Sequence, residues 1–319
     1  MSEFEHRFIE TNGIRLHVAE AGRGPLVLLL HGFPECWYSW RHQLSALADA
    51  GFHVVAPDQR GYARSERPAA AEDYTMAHLT GDVIGLIDAL GEEKAAVVGH
   101  DWGAPVAWHT ALFRPDRVRG VAGLSVPHAP RGSVPPLTAM RAAFGESFYM
   151  NYFQQPGRAD EELAADPADA FRRLLVGLSG DADQVRPMLV PPGKEFTDLW
   201  PWPETLPHWL TEHDLETYVA EYAEAGFTGG LNWYRNLNRN WELTAAWKGA
   251  RIAVPALFVG GDRDPVLAGR TGEAIEATLR AAVPGLTRSV LLPGGGHWLQ
   301  QERPAEVNAA LLQFLQALP

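Results

Sequence analysis

At 319 residues, with 46% hydrophobic and 21% charged residues, the chain has the length of one large domain or two modest ones and the composition of a folded protein, not a disordered or fibrous one. A formal net charge of −12, with no basic run or aromatic-basic stripe, argues against nucleic acid as a partner. One cysteine, Cys36, rules out an intrachain disulfide framework and fits a reducing compartment, the cytoplasm by default.

The first seven residues alternate charge with no apolar run behind them, so no secretory signal is expected. Two alternating segments, 4–10 and 14–20, joined by Thr11-Asn12-Gly13, predict an antiparallel hairpin at a sheet edge. Short apolar runs then follow at 25–30, 52–56, 95–99, 117–124, 254–260 and 288–292, as expected of parallel strands covered on both faces. None approaches the length of a bilayer span, so no membrane association is expected. Helical stretches at 37–50, 76–90, 104–113, 271–282 and 304–318 alternate with several of these strands, the pattern of a doubly wound α/β sheet. The alternation stops near Pro127-His128-Ala129-Pro130 and resumes after about Thr244. The division expected is a core of residues 1–128 and 246–319 with a helical cap at 129–245, its helices around 160–176 and 211–225. A cap so placed lies over the C-terminal edge of the strands, where open α/β sheets bind ligands.

Gly99-His100-Asp101-Trp102-Gly103 joins an apolar strand to a helix through a sharp turn with glycine on both flanks. That is the form of a nucleophile elbow, with aspartate where serine usually stands. A carboxylate with a reference pKa of ~3.9 is ionised at neutral pH and needs no base to activate it. It is suited to displacing a leaving group at saturated carbon, which forms an alkyl ester. Breaking that ester takes a general base and an oxyanion hole. The base expected is His297, in Gly294-Gly295-Gly296-His297-Trp298 after the last strand. The acid that orients it is expected in Gly261-Asp262-Arg263-Asp264-Pro265, Asp264 first and Asp262 as the alternative. The loop His31-Gly32-Phe33-Pro34 supplies the oxyanion site, with the backbone amides of Phe33 and Trp102 as donors. His31, Pro34, His100 and Trp298 are expected to line the substrate pocket. Two histidine pairs, His208 with His213 and His100 with His109, lack the further ligands of a metal site, so neither metal nor cofactor is expected.

These motifs, over essentially the whole chain, resemble the soluble epoxide hydrolases of the α/β-hydrolase superfamily. The segment from His31 to Arg41 is similar to that family's oxyanion loop, Gly99 to Ala104 to its elbow, and Gly296-His297-Trp298 to its histidine loop. The resemblance implies the α/β-hydrolase fold, with a mostly parallel eight-stranded sheet, helices on both faces and an inserted helical cap. It also implies an epoxide and water as partners. Within the cap, Tyr152-Phe153-Gln154-Gln155-Pro156-Gly157 and Leu231-Asn232-Trp233-Tyr234-Arg235-Asn236 look like the motifs that supply the family's epoxide-activating tyrosines. Those roles carry over to Tyr152 and Tyr234, while Tyr38, Tyr149 and Tyr222 are read as packing residues. A neutral tyrosine, with a pKa of ~10, can donate to the alkoxide that ring opening creates. Ala63 stands where the family commonly has glycine, and Cys36 where serine is frequent. Haloalkane or haloacid dehalogenases use the same Asp-His-Asp set, and a non-catalytic ligand receptor on this fold is the alternative outside enzymes. Of 27 basic residues only Lys94, Lys194 and Lys248 are lysine, which with abundant Ala and Gly points to a GC-rich bacterial coding sequence; a monomer or homodimer is expected.

Overall fold

The computed structural model describes residues 4–319; the first three residues of the charged N-terminal stretch lie outside it. Strands β1 (Glu5–Thr11) and β2 (Ile14–Ala21) form the expected hairpin around Asn12-Gly13. Both turn residues have positive φ, 46° and 77°, as a two-residue turn matched to strand twist requires. The sheet continues with β3 (Leu26–Leu30), β4 (His53–Pro57), β5 (Ala95–His100), β6 (Val118–Leu124), β7 (Ala256–Gly261) and β8 (Leu286–Leu292). Its eight strands are ordered β1-β2-β4-β3-β5-β6-β7-β8. Strand β2 pairs antiparallel with β1 and β4, and every pairing from β4 through to β8 is parallel. Every residue of β3, β5 and β7 is buried, which is why these strands read as unbroken apolar runs.

Between the first strands run α1 (Arg41–Asp49), α2 (Met76–Ala89) and α3 (Gly103–Phe113), the last packed on β5 and β6. The chain between β6 and β7 carries α4 (Pro136–Phe144), α5 (Tyr149–Tyr152), α6 (Arg158–Ala165), α7 (Pro167–Gly177), α8 (Glu212–Ala225), α9 (Thr228–Arg235) and α10 (Leu237–Leu243). The single helix expected around 160–176 is two. Pro167 takes the first position of α7, where its missing N–H costs nothing, and Asp166 caps that helix by accepting from the Asp169 amide at 3.0 Å. Helix α8 begins at the reciprocal cap of Thr211 and Asp214. The core closes with α11 (Gly272–Ala282), α12 (Leu299–Glu302) and α13 (Pro304–Gln316). Among the described residues no helix is long and apolar enough to cross a membrane.

The inserted helices are tied to the loops beneath them by polar contacts. The Tyr222 hydroxyl donates to the Glu35 carbonyl at 2.9 Å, the Trp233 indole to the Arg60 carbonyl at 3.1 Å, and Arg41 pairs with Asp214 at 3.1 Å. The segments that follow β3, β5, β6, β7 and β8 therefore open into one space between the sheet and these helices, the usual ligand edge of such a sheet.

Candidate active site

Asp101 follows β5 directly and has φ +48°, a left-handed backbone that few non-glycine residues adopt. The turn is possible because of its neighbours. A Cβ on Gly99 would lie 2.0 Å from the Gly103 carbonyl oxygen, and one on Gly103 would lie 2.0 Å from that of Leu30. Gly32 allows the loop after β3 to approach as closely, since a Cβ there would fall 2.3 Å from the Asp101 side chain. The Phe33 amide consequently donates to Asp101 Oδ1 at 2.8 Å. Trp102, next to Asp101, is the N-cap of α3, where backbone N–H groups have no partner within the helix.

His297, on the loop after β8, has Nε2 3.4 Å from Asp101 Oδ2 and Nδ1 3.1 Å from Asp264 Oδ1. Asp264 ends the loop after β7, and its Oδ1 also accepts from the Val266 amide at 2.9 Å. Asp262 instead accepts from the exposed Gly294 amide at 2.7 Å and does not reach the ring. Ser125, after β6 and at φ +68°, sits between the two: its hydroxyl donates to Asp264 Oδ2, and its oxygen lies 2.9 Å from His297 Nδ1. Burial lowers the affinity of the His297 ring for a proton, but the charges of Asp264 and Asp101 and their hydrogen bonds outweigh it and hold the ring well above an ordinary histidine. For Asp101, burial pushes the carboxyl up; His297, the charge of His100 and the Phe33 amide together hold it below the usual value. Both directions favour a charged pair, an ionised Asp101 beside a protonated His297.

Three residues expected to line the pocket lie beneath it. His31 is fully buried, donating from Nδ1 to the Gly32 carbonyl at 2.8 Å and accepting from the Gln59 amide at 3.0 Å. His100 precedes Asp101 on a strand, so its side chain leaves the opposite face. Its Nδ1 meets Glu35 Oε2 at 2.7 Å and its Nε2 donates to the His297 carbonyl at 2.7 Å. Trp298 is fully buried, and its amide donates to Glu302 Oε1 at 2.9 Å. Glu302 also accepts from the Gly180 and Gly296 amides at 2.8 and 3.0 Å, clamping the loop that carries His297. Glu35 accepts from the Gly32 amide at 3.0 Å as well, so one buried carboxylate links the loop after β3, through His100, to the histidine loop. Pro34, the fourth of these residues, does line the site.

Two cavities meet at Asp101. The larger, about 350 Å³, runs outward along α3 toward α4 and α10; the smaller, about 30 Å³ and room for one or two waters, contains His297 and is walled by Leu178, Met188 and Phe196. Tyr149 and Tyr234 line both cavities, with ring centroids 6.0 Å apart. Burial and the nearby Asp101 charge push both phenols up, so each keeps its proton. Tyr152 is not there. Its hydroxyl donates to Glu162 at 2.5 Å and its ring carries the Arg158 guanidinium at 4.0 Å, which hold it on the far side of the single-turn helix α5. The tyrosine read as packing, Tyr149, therefore stands at the site, and the one read from the Tyr-Phe-Gln-Gln-Pro-Gly motif does not.

The profile of the α/β-hydrolase fold family matches residues 25–175. Epoxide hydrolase A of Mycobacterium tuberculosis (strain ATCC 25618 / H37Rv) is 54% identical over 318 residues, 98% of this chain and 97% of that protein. The chain belongs to the epoxide hydrolases of the α/β-hydrolase fold. Epoxide hydrolase 3 of Siraitia grosvenorii is 45% identical, with 99% of each chain covered. The crystal structure of Epoxide Hydrolase A from Mycobacterium thermoresistibile superimposes with a TM-score of 0.93 at 55% identity, covering 99% of each chain.

The structure accounts for both departures from the epoxide hydrolase motifs. Ala63 has φ +44°, the left-handed conformation that explains glycine at this position. Cys36 is fully buried, and burial pushes its thiol well up, so it is an inert packing residue. Sequence reading missed Tyr149, Ser125, Glu35 and Glu302. Nothing in their spacing marks them: Ser125 and Glu35 meet Asp264 and His100, 139 and 65 positions away, Tyr149 faces Tyr234 across the cavity, and Glu302 binds amides both nearby, at Gly296, and far off, at Gly180. Glu35 alone carried a signal, as it lies within the oxyanion-loop motif.

Proposed function

We propose that this epoxide hydrolase converts epoxides to vicinal diols through an alkyl ester on Asp101, with His297 and Asp264 activating the water that hydrolyses it. The observation that carries this reading is the convergence of an ionised carboxylate, a histidine–aspartate pair and two tyrosines, Tyr149 and Tyr234, on one cavity. An Asp101 oxygen attacks an epoxide carbon, and the C–O bond breaks as the ring oxygen takes a proton from one tyrosine. Esterification removes the Asp101 charge that helped to hold the His297 proton. That proton passes to the tyrosinate, leaving a neutral imidazole. Water adds to the ester carbon and gives its proton to His297, while the oxyanion forms at the Phe33 amide, with the Trp102 amide as second donor. Expulsion of the diol, which keeps the proton of the added hydroxyl, restores the carboxylate–imidazolium pair.

The unequal cavities divide the work. The substrate's apolar substituent occupies the larger and the hydrolytic water the smaller, which His297 lines. The core and cap boundaries are those of residues 1–128 with 246–319 and of residues 129–245. A cytoplasmic site of action, supported by the lone buried thiol, and a monomer or homodimer complete the reading. Single turnover of styrene oxide in heavy-oxygen water tests the mechanism. The first diol is expected to carry light oxygen from Asp101, and immediate full labelling overturns the ester. Bromide release from a primary alkyl bromide without diol from styrene oxide would favour the dehalogenase alternative.

A further inference from the structure

The larger cavity is apolar apart from its reacting end and one distal station. The outward face of α3 supplies its floor through Trp102, Pro105, His109 and Leu112. His109 lies seven residues beyond the N-cap, about 10 Å along the helix axis. Its Nδ1–H donates to the Pro105 carbonyl of its own helix at 2.7 Å, which fixes the neutral tautomer and leaves Nε2 as a lone-pair acceptor. Facing it across the same cavity is His128, 4% exposed, with the two ring centroids 6.4 Å apart. Among the described residues His128 Nε2 is occluded and has no hydrogen-bond partner. Other polar groups on this wall have partners of their own. Asn240 Oδ1 accepts from the Met76 amide at 2.7 Å, Thr244 donates to the Asn240 carbonyl at 2.8 Å, and Arg131 donates to the Trp241 carbonyl at 2.9 Å while stacking on that ring.

We infer that His109 and His128 form a polar subsite that selects epoxides whose apolar substituent ends in a hydrogen-bond donor, a hydroxyl or an N–H. This rests on the proposed reaction and names the substrate class it serves. A purely apolar arm rejects a hydroxyl, because burying it without a partner is costly; an acceptor fixed by the backbone removes that penalty. His128 is also suited to the role as a neutral ring, since burial and the neighbouring His109 lower it to about 4.

The test compares two isosteric glycidyl ethers, of para-(hydroxymethyl)phenol and of para-ethylphenol, which differ by a hydroxyl in place of a methyl. In His109→Leu the ratio of kcat/KM for the hydroxymethyl over the ethyl ether is expected to fall about tenfold from wild type; the ratio is the readout because any loss of packing common to both ethers cancels in it. His128→Phe reads the same subsite from the opposite wall and is expected to lower the ratio in the same direction, which keeps the test decisive if His109→Leu does not fold. A ratio unchanged in whichever variants fold overturns the subsite and leaves the reaction intact. No diol from either ether in the wild-type enzyme overturns the reaction itself.

Discussion

The two sides of the active site are built by different means. On the sheet side, Asp101, Asp264 and His297 stand on loops that directly follow strands β5, β7 and β8, each held by backbone amides, close glycine contacts or buried carboxylates. On the inserted side, Tyr149 and Tyr234 come from two short helices, of four and eight residues, whose orientation depends on aromatic packing and a few polar ties. The sheet side is positioned by hydrogen-bonded backbone and the inserted side by side-chain packing. In the proposed mechanism, bond making and hydrolysis fall to the first and leaving-group activation to the second.

Substitutions on the sheet side should have the largest effects. Asp101→Ala is expected to fold normally and lose about four orders of magnitude or more in kcat, as removal of a nucleophile does elsewhere. His297→Gln should keep the first half-reaction and stop the second, so mass spectrometry should find the enzyme heavier by one epoxide; an unmodified enzyme would break the division of roles. Next are the tyrosines. Tyr149→Phe and Tyr234→Phe are each expected to lower kcat/KM by about a hundredfold, within the range of general acid catalysis, while Tyr152→Phe changes it less than about threefold. The reverse ranking for Tyr149 and Tyr152 would return the activating role to the motif tyrosine.

The pH dependence separates the half-reactions. Ester formation needs Asp101 ionised, and its carboxyl is held below the usual value, so kcat/KM should stay level as pH falls until below about 3.9. Hydrolysis needs His297 neutral, so kcat should fall as pH drops through the imidazole pKa of the ester state. That value lies below the resting one, because Asp101 no longer contributes charge. Acid-quenched samples should therefore show the ester accumulating at low pH; an ester level that does not vary with pH removes His297 as base. The resting pair also affects stability. The raised His297 pKa contributes below about 6.5 and is lost as pH rises through its folded value, and the lowered Asp101 pKa contributes above about 3.9 and is lost as pH falls through its own.

Smaller effects test the supports. Ser125→Ala removes a hydroxyl from Asp264 and His297 and should lower kcat about tenfold with KM little changed, as loss of an orienting partner does at other sites. Ala63→Gly relieves a left-handed backbone worth about 1–2 kcal/mol, offset by the greater freedom of glycine when unfolded, so denaturant melts should show a gain below about 1 kcal/mol.

The same contrast explains what could be read beforehand. The elbow, the histidine loop and the acid loop are local: each places a reactive residue within a few positions of the glycines or strand end that present it. Helix α5 is one turn long, and which of its two tyrosines faces the cavity is decided by Glu162 and Arg158. His31, His100 and Trp298 adjoin reactive residues in sequence, but chain direction turns their side chains into the core.

The sequence by itself determined the α/β-hydrolase sheet and the family and pointed to the proposed nucleophile and base, because strand periodicity and tight turns are properties of contiguous residues. Only the tertiary structure put Asp264 rather than Asp262 against His297, Tyr149 rather than Tyr152 on the cavity, and Ser125, Glu35 and Glu302 around the histidine loop. Each of those choices depends on a hydrogen bond or contact between different segments of the chain, and such partners leave no periodic trace in the order of residues.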